Sequence, residues 1–246
     1  MNISQTLPST LTKKTVVIFG GTSGIGLAAA VQAKAAGAKV IVIGSNAARA
    51  EQAASEHGLD GWRAADVTDN QAMETALADI PQVDHLVLLA GTFVAGTVLA
   101  ADLAYLHRAF DERIWASINA IRVLGDRLAK DGSITFISGS LADRPNAYGT
   151  AVLAAASAAM EALARGLALE LAPVRVNTLS PGPINTPILG KALGEGRDAF
   201  VASLEQVLPL HRLGTAAEAG AAAAFLMSNT FMNGAVLNID GGARLV

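Results

Sequence analysis

The stretch Val16-Val17-Ile18-Phe19-Gly20-Gly21-Thr22-Ser23-Gly24-Ile25-Gly26 limits what this chain can fold into more than any other. Four apolar residues in a row read as a strand buried on both faces. Glycines follow in the pattern G-x-x-x-G-x-G, and a helical stretch from Leu27 to Ala36 is ended by Gly37. Strand, glycine turn and helix in that order form a phosphate-binding device. The glycines let the backbone turn sharply and approach a pyrophosphate, and the helix start adds free N–H groups and a partial positive charge. A chance match in a chain of 24 glycines would not place strand and helix on the two sides where the mechanism needs them.

Strand-like and helix-like segments alternate along the rest of the chain. The strand candidates are Thr15–Gly20, Lys39–Gly44, Trp62–Asp66, His85–Ala90, Ser133–Ser138, Arg175–Ser180 and Ala235–Asp240. Helices are expected over 24–36, 47–57, 70–79, 102–129, 151–172 and 216–228, with capping boxes at Thr68/Gln71 and Thr215/Glu218. Such alternation predicts an α/β fold, a doubly wound, seven-stranded parallel sheet with helices on both faces, in one domain over residues 1–246. The proline-bearing segment 183–212 reads as a long loop of the kind that covers a binding site.

The chain is 52% hydrophobic and 16% charged with a net charge of −3, which favours a large core and argues against a general nucleic-acid binder. There is no cysteine, and His57, His85, His107 and His211 show no metal-ligand spacing, so no metal is expected. The polar stretch Met1–Thr12 lacks the apolar core of a secretory signal, and the run Leu86–Ala101 is too short to span a bilayer. The expectation is a cytoplasmic protein without nucleic-acid or membrane partners.

Six motifs in order resemble the short-chain dehydrogenase/reductase family over nearly the whole length. They are Gly20, Gly24 and Gly26; Asp66-Val67; Ala90-Gly91; Arg175-Val176-Asn177; Ser180-Pro181-Gly182; and Asp240-Gly241-Gly242. The resemblance implies a Rossmann-type sheet. It also implies dinucleotide contacts from Gly20, Thr22, Ser23, Gly24, Ile25 and Gly26, from Asp66 and Val67, from Ala90 and Gly91, and from Pro181, Gly182, Ile184 and Thr186. Leu89 replaces the asparagine of the family's Asn-Ala-Gly motif.

Cofactor choice is read at the end of the second strand. A carboxylate there would hold a ribose 2′-hydroxyl and repel a 2′-phosphate. Gly44-Ser45-Asn46 offers none, and Arg49 follows one turn later. Ser45, Asn46 and Arg49 therefore point to NADP(H) over NAD(H), although Asn46 is also placed to cap the next helix.

The family's catalytic serine falls at Ser138 or Ser140. Its Tyr-x-x-x-Lys pair is missing: Tyr148 is followed four places on by Val152, and a register set by Glu170 and Arg175 puts the pair at Leu153 and Ser157. The family asparagine of the long helix matches Asn119 by type and Arg113 by register. Arg113 is either a cation near the nicotinamide or a surface arginine paired with Asp126 or Glu112. The expected site is thus Ser138, Ser140, Tyr148 and Arg113, acting on a partly apolar carbonyl or alcohol beneath Ile184, Ile188, Leu189 and Phe200. Tyr148 would give or take the proton. A non-catalytic NADP(H) sensor or regulatory protein, and an isomerase or dehydratase on the same fold, are the other readings. The alanine-rich helix 151–172, with helix 102–129, is expected to form the interface of a homotetramer or homodimer.

Overall fold

The computed structural model describes residues 11–246; the expectation for the polar amino terminus concerns residues that, up to position 10, lie outside the described ones. The strands of the main sheet are β1 (Thr15–Phe19), β2 (Lys39–Gly44), β3 (Gly61–Ala64), β4 (Val83–Leu88), β5 (Leu128–Ile137), β6 (Arg175–Pro181) and, after the short strands β7 (Ile184–Asn185) and β8 (Gly214–Thr215), β9 (Val236–Ile239). They run parallel in the order β3-β2-β1-β4-β5-β6-β9, the expected doubly wound sheet. The chain starts in the middle and winds outward both ways, so a crevice opens where the order reverses, beyond the carboxyl ends of β1 and β4.

Parallel strands are covered by helices on both faces, and alternate residues separate into two core layers. Val17, Phe19, Leu86, Leu88, Ile134 and Phe136 face one layer, with Met160. Val16, Ile18, Val40, Val42 and Val87 face the other, with Ala29, Ala30 and Leu226. The helices are α1 (Gly24–Ala35), α2 (Ala47–Glu56), α3 (Asn70–Leu77), α4 (Leu103–Phe110), α5 (Ala116–Leu124), α6 (Ala151–Glu170), α7 (Pro187–Leu193), α8 (Arg197–Val207) and α9 (Ala216–Ser228). By length and composition α6 could cross a membrane. In the fold it is a core helix, with Met160, Ala164 and Ala168 buried against the sheet.

Four local expectations need correction. The helix over 102–129 is instead α4, a π-helical turn at Asp111–Trp115 and α5, which Gly125 ends at φ +49°; β5 already begins at Leu128. The start of α3 is capped by Asp69, whose carboxylate accepts from the N–H groups of Gln71 and Ala72, whereas Thr68 binds Asp66. β3 stops at Ala64 because Asp66 closes a turn on Thr68. The 183–212 segment is no open loop: it carries α7 and α8, and β7 pairs with β8. The capping box of Thr215 and Glu218 is formed as expected.

Candidate active site

The glycine loop joins β1 to α1. A Cβ on Gly26 would lie 2.2 Å from the carbonyl oxygen of Gly20, so α1 seats directly on the loop and only glycine permits it. Ser23 occupies the N-cap of α1 in extended conformation, yet its side chain caps nothing. Thr186, at the N-cap of α7, likewise makes no side-chain cap bond. The nearest neighbours that a Cβ on Gly24 would meet are Thr186, at 3.4 Å, and Pro187, at 3.9 Å. Ser23, Thr186 and the N–H groups at the start of α1 thus surround Gly24, and a side chain on Gly24 would enter the cradle between them. A helix start with free N–H groups and a glycine loop has the chemistry to hold a pyrophosphate.

At the end of β2, Asn46 accepts the Arg49 N–H at 2.9 Å and does cap α2. Ser45 and the Arg49 side chain remain exposed, and Arg49 joins no ion pair among the described residues. Thr22 packs on Gly44, fixing the glycine loop against this strand end. Asp66 accepts from the Thr68 N–H and hydroxyl, which hold its carboxyl below the usual range. Val67 turns inward to line a small cavity.

That cavity lies under Arg113 and is walled by Phe19, Leu88, Ala90, Ser117, Ile137 and Met160. The π-helical turn determines what reaches it, since its wider turn sets Glu112 and Arg113 together over the loop after β4. Glu112 is buried, pairs with Arg108 at 2.7 Å, and accepts from the Thr92 N–H and hydroxyl at 2.6 and 2.9 Å. Arg113 donates to the Thr92 carbonyl at 2.8 Å and lies on Gly91, where a Cβ would come within 3.0 Å of the guanidinium carbon. It forms no ion pair with Glu112 or Asp126 among the described residues and is partly buried. Burial lowers its pKa, but a guanidinium stays charged at neutral pH. Asn119 is elsewhere: it borders a groove with Glu74 and Arg122, between α3 and α5, with its amide nitrogen buried and unbonded.

The serines separate by role. Ser140 opens a single 3-10 turn after β5, and its hydroxyl makes no hydrogen bond among the described residues. Ser138 follows the alternation of Ile134 and Phe136 toward the α6 layer and donates to Glu161 Oε1 at 2.7 Å. Glu161 is a polar residue of the site that the sequence reading passed over. The signal was available, because Leu153, Ser157 and Glu161 recur at i, i+4, i+8 along one line of α6. Leu153 and Ser157 are both buried. Tyr148 is not brought to this group: it stands 79% exposed on the turn before α6, its N–H bonded to Asn146. On the far side, Pro181 ends β6, Gly182 packs on Asp240, and Ile184 is buried.

Comparison with known proteins bears on the family and the fold. A family model described as enoyl-(acyl carrier protein) reductase matches residues 20–244. A short-chain dehydrogenase/reductase of Stachybotrys chlorohalonatus is 33% identical over 256 residues, which cover 96% of this chain and 99% of that protein. The structure of a small-chain dehydrogenase in complex with NADPH superimposes with a TM-score of 0.81 at 33% identity, covering 95% of this chain and 100% of the other. A short-chain oxidoreductase from Pseudomonas aeruginosa PAO1, described as containing an atypical catalytic center, gives 0.84 at 26% identity, with 94% and 97% covered.

Proposed function

The chain belongs to the short-chain dehydrogenase/reductase family, and from that premise we propose that it is an NADP(H)-dependent oxidoreductase interconverting a partly apolar alcohol and its carbonyl. The cradle between Ser23, Gly24 and Thr186 carries this reading. The unpaired Arg49, with no carboxylate at 44–46, favours a 2′-phosphate over a free ribose hydroxyl. The small-chain dehydrogenase solved with NADPH supports the same choice.

When bound, the dinucleotide supplies or accepts the hydride. The residues of the chain position the substrate oxygen and manage its charge. Ser140, whose hydroxyl makes no hydrogen bond among the described residues, is assigned to hydrogen-bond that oxygen. Arg113, charged and without a carboxylate partner, favours negative charge developing there during reduction. Tyr148 is proposed as a substrate-side hydroxyl that reaches the cleft only if the turn carrying it folds inward. Ile184, Ile188, Leu189 and Phe200 of the covering segment offer an apolar wall. The protein is further proposed to be cytoplasmic and to assemble through the outer face of α6.

One observation favours a second reading, a non-catalytic NADP(H)-binding protein: Tyr148 is exposed, and the two helix positions behind it are Leu153 and Ser157. NADPH titration followed by NADPH consumption over a panel of aldehydes and ketones separates the two. Binding with turnover supports the oxidoreductase, binding without turnover the second reading, and absence of binding refutes both.

A further inference from the structure

We propose that Ser138 and Glu161 form a proton relay that serves the reacting oxygen in place of a tyrosine–lysine pair; this rests on the oxidoreductase reading above. Ser138 sits at the carboxyl end of β5, on the edge where the sheet opens to ligands, and is only partly buried. Its hydroxyl proton points at Glu161 Oε1, 2.7 Å away. Glu161 is itself only partly buried, and this serine is its sole hydrogen-bond partner among the described residues. The charged groups on segments packed against this part of α6 are His107 and Arg108 of α4, Asp111, Glu112 and Arg113 of the π-helical turn, and Arg165 on α6 itself. None of them makes an ion pair with Glu161. A structural carboxylate held half in the core is ordinarily matched by a cation or by several N–H donors. Glu112, one layer away, is matched in that manner, by Arg108 and twice by Thr92. Glu161 has one neutral donor, and that donor faces the cleft.

In alcohol oxidation the substrate C–H bond breaks and its hydride passes to the nicotinamide. The substrate O–H proton passes to Ser138 Oγ as the Ser138 proton passes to the Glu161 carboxylate. The products are a carbonyl, the reduced nicotinamide and a neutral Glu161, which then returns its proton to water. Reduction runs the same transfers backward. Ser138 is the catalytic residue and Glu161 acts through it.

The test has two arms. In the cofactor-free protein, carboxyl-labelled glutamate is followed by NMR, with Glu161 assigned from E161Q. Ser138→Ala removes the one hydrogen-bond donor to this carboxylate, so the Glu161 carboxyl resonance at a fixed pH of about 8 should shift, while Ser140→Ala leaves it in place. An unmoved Glu161 resonance in Ser138→Ala overturns the relay whatever the activity. In turnover, Glu161→Gln should lower kcat about 100-fold or more with NADPH affinity unchanged, and abolish the acid limb of the oxidation pH profile. Glu161→Asp should retain that limb at reduced rate, which also guards against a misfolded variant. The double variant should be no slower than the slower single one, as members of one relay are not additive. Turnover by the wild type with a fully active Glu161→Gln overturns the relay alone. NADPH binding without any turnover overturns the relay and the oxidoreductase reading together.

Discussion

Acidification should weaken this fold through one residue, His85, well before the carboxylates titrate. His85 lies on β4, is 4% exposed, and places Nδ1 2.8 Å from the Ser133 hydroxyl on β5. Burial is the main cause that lowers its pKa to about 4; Arg175 and Lys14 push the same way, and Asp84 and Asp131 push back. In the unfolded chain the imidazole titrates near 6.5. Above that pH neither state is protonated and the residue contributes no pH dependence. Between the two values the unfolded chain binds a proton that the native state refuses, so stability falls as pH falls. Linkage gives a loss of about 2 kcal/mol by pH 5 and about 3 kcal/mol by pH 4. The assay is the urea midpoint from pH 7.5 to 4.5 at fixed protein concentration, for wild type and His85→Gln. The glutamine retains a polar group toward Ser133 and does not titrate. The wild type should lose about 2 kcal/mol more than the variant by pH 5. Parallel losses in both proteins, or a His85 resonance, assigned by its disappearance in His85→Gln, that titrates near 6.5 in the native state, would refute the reasoning.

Ser45→Asp should weaken NADPH binding at least about tenfold, because a carboxylate would meet the 2′-phosphate; calorimetry with NADPH and NADH reads it, and tighter NADH binding by the wild type would reject the cofactor choice. Gly24→Val should abolish NADPH binding by filling the cradle, and at φ +54° it also strains the backbone, so circular dichroism must accompany the titration. Arg113→Ala should slow turnover about tenfold to 100-fold and leave NADPH affinity nearly unchanged; an equal loss in binding would make the arginine a cofactor ligand instead. Tyr148→Phe with full activity on a verified substrate would remove the tyrosine from the chemistry. The outer face of α6 exposes Ala151, Ala155, Ala158, Ala162, Gly166 and Leu169, so light scattering should give a mass above that of the 25.0 kDa chain.

The topology was legible in the sequence because each determinant is local. A strand buried on both faces must be apolar throughout, a glycine loop must precede a helix to hold a phosphate, and alternation of the two elements leaves few ways to wind a sheet. The glycine turn was legible for the same reason, since Gly20, Gly24 and Gly26 act through their own backbone neighbours, whereas the approach of Thr186 to Gly24 is tertiary. The reacting end was not, because it is assembled across elements. No periodicity distinguishes a π-helical turn at Asp111–Trp115 from the helix around it, yet that turn sets Glu112 and Arg113 over Thr92. Tyr148 is expected in the site as the proton donor, although the family register points to Leu153, and tertiary structure leaves it on the surface. Ser138 and Glu161 are 23 residues apart, and only the packing of α6 on β5 makes them partners. Asn46 and Asp69 cap their helices as short-range chemistry dictates, whereas the charge state of His85 follows from the burial that the whole sheet imposes.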